Sequence, residues 1–222
     1  MCGRISTANL LADDISAMFR TSTIPFIFKS YNIAPTLPIP AIREQNDIRS
    51  LDTLRWGFIP HWAKDKNIKA SSFNARVETL TQKAFFRDSI RTKRCIIPAT
   101  GFYEWQKQGE KKQPYYCYRA DQKPLALAGL WDVWADKVTG ETIESCTIVT
   151  VPAIRRMAEI HERMPAVLEV AFFDTWLDPG FKETHLLQDI LRTPKEDVLE
   201  MYPVSSYVNS SRHDGDQCIE RL

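Results

Sequence analysis

The sequence predicts a single α+β domain covering residues 1–222, built on a curved, mostly antiparallel, barrel-like β-sheet flanked by helices. Three observations carry that reading. Short apolar or aromatic runs separated by turn-like segments dominate the middle of the chain. Helical patterns lie beside these runs and do not alternate with them one for one, as a parallel α/β fold would require. No internal repeat, low-complexity tract or Gly/Ser linker divides the chain. With 222 residues, 44% of them hydrophobic and 26% charged, it is long enough to bury a sizeable core.

A first amphipathic helix is expected over residues 8–19, where Leu11, Ile15, Met18 and Phe19 recur at helical spacing. Strands are expected over 94–99, 102–107, 114–119, 125–131 and 145–151, with turns at 108–112 and 120–124. Further helical stretches are expected over 81–90, 153–160, 170–177 and 182–192.

Composition excludes several function classes. No stretch approaches the roughly 18 to 20 consecutive apolar residues of a membrane span. Asp13 and Asp14 fall where the apolar core of a signal peptide would run, so the chain is expected in the cytosol near the nucleoid, or in the nucleus of a eukaryotic source. Five cysteines with no C-x-x-C pair argue against both a disulfide framework and a zinc site, and no metal or cofactor is expected. Cys95, Cys117 and Cys146 lie in apolar or aromatic strand-like runs and read as inert core residues, leaving Cys2 and Cys218. Net charge is +1, but residues 63–112 hold 12 Lys/Arg against 5 Asp/Glu, while the remainder holds 17 against 23. That segregation fits either a polyanion footprint or a solvated basic face.

Of the cysteines, Cys2 alone holds a special chemical position. Removal of Met1 would leave its α-amine, with an ordinary pKa near 8, beside a thiol near 8.5. This 1,2-aminothiol can condense with an aldehyde, the amine forming an imine and the thiol closing a five-membered thiazolidine. Arg55-Trp56-Gly57-Phe58-Ile59-Pro60-His61-Trp62 gathers aromatic rings beside a cation, suited to stacking on bases or to core packing. Asn74, Arg76 and Glu78 would share one face of a strand, as either plain solvent exposure or a polar site. Glu104 sits among apolar and aromatic residues between Arg94 and Trp105. Burial would raise its pKa for acid–base work, while an ion pair with an arginine or an edge position facing solvent would make it structural. His161, between charged neighbours and ahead of Pro165, is either structural or a proton carrier on a loop.

The start Met1-Cys2-Gly3-Arg4 and the segments Tyr31–Thr36, Arg55–Gly57, Phe73–Thr79, Cys95–Trp105, Ile160–Pro165, Pro203–Ser205 and Val208–Asn209 together resemble the SOS-response-associated peptidase (SRAP) family over nearly the whole chain. The resemblance implies an α+β fold and a monomer that recognises abasic sites in single-stranded DNA and links to them covalently. It implies Cys2 as nucleophile, Asn74 as the amide holding the opened sugar, and Glu104 and His161 as an acid–base pair. It places Arg4, Arg76 and Arg163 at phosphates and Trp62 and Thr150 along the strand path, with self-processing removal of Met1 and no metal. Departures are Tyr202, where a His is common, the run Ser205-Ser206-Tyr207, and shifted residues over 64–70. Two other classes stay open on the residues alone: an N-terminal-cysteine amidohydrolase, which also begins Met-Cys-Gly, and a non-catalytic single-strand-binding module.

Overall fold

The computed structural model describes residues 2–22, 29–68, 72–191 and 196–222. In chain order the elements are β1 (Ile5–Ser6), α1 (Ala12–Phe19), β2 (Pro38–Gln45), β3 (Ile48–Trp56), β4 (Asn74–Arg76), α2 (Ser89–Thr92), β5 (Arg94–Ala99), β6 (Gly101–Gln108) and β7 (Lys111–Arg119). They continue with β8 (Leu125–Ala135), β9 (Thr142–Pro152), α3 (Arg155–Ala158), β10 (Arg163–Pro165), α4 (Phe173–Leu177), α5 (Thr184–Ile190) and β11 (Leu199–Pro203).

Five strands close a barrel. β3 pairs with β2, β2 with β5, β5 with β8 and β8 with β9, all antiparallel. The ring closes where β9 meets β3 in parallel. Past that junction β4 takes over the same edge of β9, also in parallel. Where β8 and β9 diverge, residues 163–168 wedge between them. β10 pairs with β9, and the chain after it bonds to Ala126 and Ala128 of β8. A second, antiparallel sheet runs β1-β6-β7-β11. β5 and β6 are nearly one continuous strand, so the turn from barrel to second sheet falls at Thr100–Gly101. Gly101 is required there, because a Cβ would stand 2.4 Å from the Tyr116 ring. Gly129 permits similar closeness in the barrel, where a Cβ would meet Ile97 Cδ1 at 2.3 Å.

Helices cover the barrel from outside. α1 buries Ile15 and Phe19, and Phe19 stacks on Phe173 of α4 with ring centroids 5.1 Å apart. Arg94, buried at the start of β5, holds α4 and its following loop to the barrel. Its guanidinium donates to the carbonyls of Ile90, Trp176, Asp178 and Phe181. With carbonyls and no carboxylate hydrogen-bonded to it, burial pulls its pKa down to about 10.

The expected strands all form, and three regions differ from the expectation. The first helix starts at Ala12, not residue 8, because Asn9 adopts a positive φ of 64° and breaks the turn before it. The helix expected over 81–90 is mostly turns. There Phe85 packs near Phe58 and Trp62, and Phe86 near Phe58, so tertiary contacts set the backbone. The turn expected over 108–112 contracts to Gly109–Glu110, lengthening both strands of its hairpin. Arg192, the end of the last expected helix, and residues 69–70 of the shifted segment lie outside the described residues.

Candidate active site

Strand pairing brings the chain start to the second sheet. Ile5 lies opposite Phe102 and Ser6 opposite Gly101, and the Tyr103 N–H donates to the Arg4 carbonyl at 3.0 Å. Residues 2–4 therefore run beside Tyr103–Trp105. The Cys2 side chain is fully buried, and its Sγ lies 3.8 Å from the Arg4 carbonyl. Burial raises the thiol pKa well above its ordinary value, and the nearby Glu104 carboxylate raises it further. Glu104, only 2% exposed, is itself pushed above the usual carboxylate range, chiefly by burial, while His161 pulls in the other direction.

Glu104 and His161 line one pocket of about 420 Å³ together with Arg4, Trp105, Lys112 and Asn209. Arg4 forms a fixed wall of it. Its guanidinium donates to Asn32 Oδ1 at 2.6 Å and to the carbonyls of Val208 and Asn209 at 2.9 and 3.2 Å. The Trp105 indole N–H donates to Asn209 Oδ1 at 2.7 Å. Asn32 in turn donates to the carbonyls of Val208, Ser210 and His213, so the C-terminal segment is tied to the chain start.

The histidine is held by backbone. The Arg163 N–H donates to His161 Nδ1 at 3.0 Å. An amide N–H can only donate, so in the neutral ring Nδ1 is the acceptor and Nε2 carries the proton. A neighbouring polar row runs along β4, β9 and β10, with Asn74 opposite Ile148, Arg76 opposite Thr150 and Pro165 also opposite Thr150. The Asn74 amide donates to the Phe73 carbonyl at 2.9 Å, while its Oδ1 is buried with no hydrogen-bond partner among the described residues. A buried acceptor left so is costly, by about 1–3 kcal/mol, and marks a place where a ligand donor is favoured.

A family model described as SOS response associated peptidase (SRAP) matches residues 1–211. The chain belongs to the SRAP family. The Bacillus subtilis relative named abasic site processing protein YoqW is 37% identical over 223 residues, covering 99% of each chain. The Xenopus tropicalis abasic site processing protein HMCES is 36% identical, over 87% of this chain and 66% of its own length. A solved structure of a protein from Bacteroides thetaiotaomicron has a TM-score of 0.85 at 25% identity, with both chains covered in full.

Of the residues expected from the SRAP resemblance, the fold lines one pocket with Arg4, Glu104 and His161, buries Cys2 near Glu104, and sets Asn74, Arg76, Thr150 and Arg163 in a row along β4, β9 and β10. Two of these stand differently from the expectation. Thr150 is fully buried, with its hydroxyl 3.4 Å from the Ala75 carbonyl. Arg163 is also buried, its guanidinium committed to Glu78 and to the Thr150 carbonyl. Glu78 leaves the common strand face because the chain turns into a 3-10 helix at Val77–Thr79. Arg76 is exposed on β4. Trp62 is 51% exposed and packs edge-on against Phe85, and it is not among the residues lining the pocket. Lys112, Trp105 and Asn209 complete the pocket lining, and buried Asn32 supports it through Arg4; none of the four has an expected role. Asn32 and Asn209 do lie in two of the segments that carry the family resemblance, which was the available signal. Among the described residues no group of three or more His, Cys, Asp or Glu side chains is placed to hold a metal ion, and no helix is long and apolar enough to cross a membrane.

Proposed function

We propose that this SRAP chain processes abasic sites in single-stranded DNA, acting as a monomer, by forming a covalent thiazolidine between the ring-opened sugar and Cys2 after self-processing removes Met1. The observation that carries the reading is the packing of Cys2 beside Glu104, at a pocket that Glu104 shares with His161 and Arg4. The names of the relatives support the substrate class.

The chemistry runs in four balanced steps. Glu104, entering as the acid, gives its proton to the ring oxygen of the closed sugar from one carboxyl oxygen and takes the hydroxyl proton on the other, while the Nε2–H of His161 donates a hydrogen bond to that ring oxygen, and the aldehyde opens. The α-amine of Cys2 then attacks C1′, forming a carbinolamine. This order follows from the raised thiol pKa, which keeps sulfur protonated while the amine is available. Protonated Glu104 passes its proton to the departing hydroxyl, water leaves and an iminium remains. Finally the Cys2 sulfur adds to C1′, its proton returning to Glu104, and the five-membered ring closes. Net, one aldehyde and one aminothiol give one thiazolidine and one water. The orphaned Oδ1 of Asn74 is suited to accept a hydrogen bond from a hydroxyl of the opened sugar, and exposed Arg76 to meet a phosphate, while half-buried Arg4, held by Asn32, Val208 and Asn209, draws the strand by its positive charge from the pocket wall. Trp62 is suited to stack on a flanking base, and Arg163 to fix His161 through its backbone. Closure shields the lesion from hydrolysis and from strand cleavage by β-elimination. The setting is the DNA compartment, nucleoid or nucleus.

The test compares wild type with Cys2→Ser on a single strand carrying one abasic site. Serine keeps the amine and replaces the thiol, so its product should be trapped only after borohydride reduction, whereas wild type forms a stable adduct unaided. A borohydride-independent adduct of equal stability from Cys2→Ser would remove the thiol from the reaction.

A further inference from the structure

Two of the arginines expected at phosphates are engaged within the protein. Arg4 is held by Asn32, Val208 and Asn209, and Arg163 by Glu78 and Thr150. The remaining cation on the pocket wall is Lys112, on the hairpin of β6 and β7. It is exposed, and among the described residues its side chain forms no hydrogen bond or ion pair.

The hairpin register adds a second, independent sign. Trp105 lies opposite Pro114, and two residues outward Lys107 lies directly opposite Lys112. Alternation puts Trp105, Lys107, Lys112 and Pro114 on the same face of the hairpin. Like charges directly opposed across a strand pair are unfavourable, and nothing in the hairpin relieves the pair. The other face is occupied differently, since Gln106 donates to the Glu159 carbonyl at 3.0 Å and turns that side toward α3. An unrelieved pair of opposed lysines continuous with an anion-seeking pocket is complementary to a polyanion.

We infer that Lys107 and Lys112 extend the pocket into a phosphate-binding ridge that holds the single-stranded DNA flanking the abasic sugar. The inference rests on the abasic-strand reading above and adds to it a contact surface on the hairpin. Binding there is electrostatic and sequence-independent, so it shows in salt dependence more than in base preference.

The experiment measures equilibrium binding of an abasic single strand across a salt series, in a Cys2→Ala background that prevents covalent capture. Lys112→Gln should flatten the slope of log affinity against log salt by about 0.7, the value for one lost single-strand phosphate contact. Lys112→Arg should restore it, and Lys137→Gln, on the exposed turn between β8 and β9, should leave it unchanged. An unchanged slope in Lys112→Gln overturns the inference. So does an equal drop in Lys137→Gln, which would trace the effect to net charge, or a failure of arginine to rescue. The underlying reading fails separately, when protein with Cys2 intact gives no covalent product on the same strand. Absence of any DNA binding overturns both.

Discussion

The guanidinium of Arg163 donates to both carboxylate oxygens of Glu78, at 2.6 and 3.0 Å, and its own backbone N–H donates to His161 Nδ1. Glu78 thus secures the residue that orients the pocket histidine, from a 3-10 helix 85 residues away in sequence. Burial, the largest single influence, works to raise the Glu78 pKa, but the hydrogen bonds and charge of Arg163, its own backbone N–H and the charge of Arg76 together outweigh it and leave the carboxyl below its usual range.

The sign of the resulting pH dependence is fixed. A carboxyl with a depressed folded pKa stabilises the fold above its unfolded pKa, about 4.3, and that stabilisation is lost as pH falls through the folded value. The Glu78 side chain is 48% exposed, so its share is about 1 kcal/mol or less. Chemical denaturation between pH 3 and 7 should show Glu78→Gln less stable at neutral pH and less sensitive to acid. Identical acid profiles for the variant and wild type would mean the pair contributes nothing.

Glu104 has the opposite sign. Its pKa is raised by burial, so its contribution is present below the unfolded pKa and is lost as pH rises through the folded one. Glu104→Gln should therefore hold or improve the melting temperature at pH 8 while slowing adduct formation by about 10² to 10⁴, the usual worth of acid–base assistance. Single-turnover crosslinking and thermal unfolding on the same preparation check both. A stable variant that crosslinks at the wild-type rate would leave His161 as the proton carrier by itself.

Phosphate contact and chemistry should separate. Cys2→Ala is expected to lose the stable adduct and retain salt-sensitive binding. Adding Arg76→Ala to Cys2→Ala should flatten the salt slope by about 0.7 relative to Cys2→Ala alone. Equal slopes with and without the second substitution would show that Arg76 touches no phosphate.

Arg94 tests the frame of the barrel. Arg94→Met removes donors from the carbonyls of Ile90, Trp176, Asp178 and Phe181 at once. At about 1–3 kcal/mol for each buried acceptor left unsatisfied, the loss should total at least about 3 kcal/mol even if water reaches some of them. Urea denaturation measures it. A change under 1 kcal/mol would show that α4 is held by its apolar contacts.

Much of this was legible in the sequence because it was written in local pattern. The strands from Arg94 to Val151 announced themselves as apolar runs between turns, and Cys2, Glu104 and His161 stood out by chemical position. The strands Pro38–Gln45 and Ile48–Trp56 were not read, although Asn46 and Asp47 both take positive φ at the hairpin turn between them and are residues suited to it. The closing parallel contact between β3 and β9 joins segments about 90 residues apart, which no local pattern encodes. The commitments of Arg163 and Thr150 were hidden for the same reason, since each depends on a partner from another strand or helix. Lys112 was legible only as part of an expected turn, and its place on the pocket wall comes from a hairpin tighter than the sequence suggested.

The central claim is that Cys2, with its amine freed, carries the bond to DNA. Intact-mass measurement followed by peptide mapping, after mixing the protein with a single strand bearing one abasic site, tests it most directly. The account predicts one product, equal to protein lacking Met1 plus the oligonucleotide minus one water, with the added mass on the peptide that begins at Cys2. An adduct on any other residue, or on protein that still carries Met1, would contradict it.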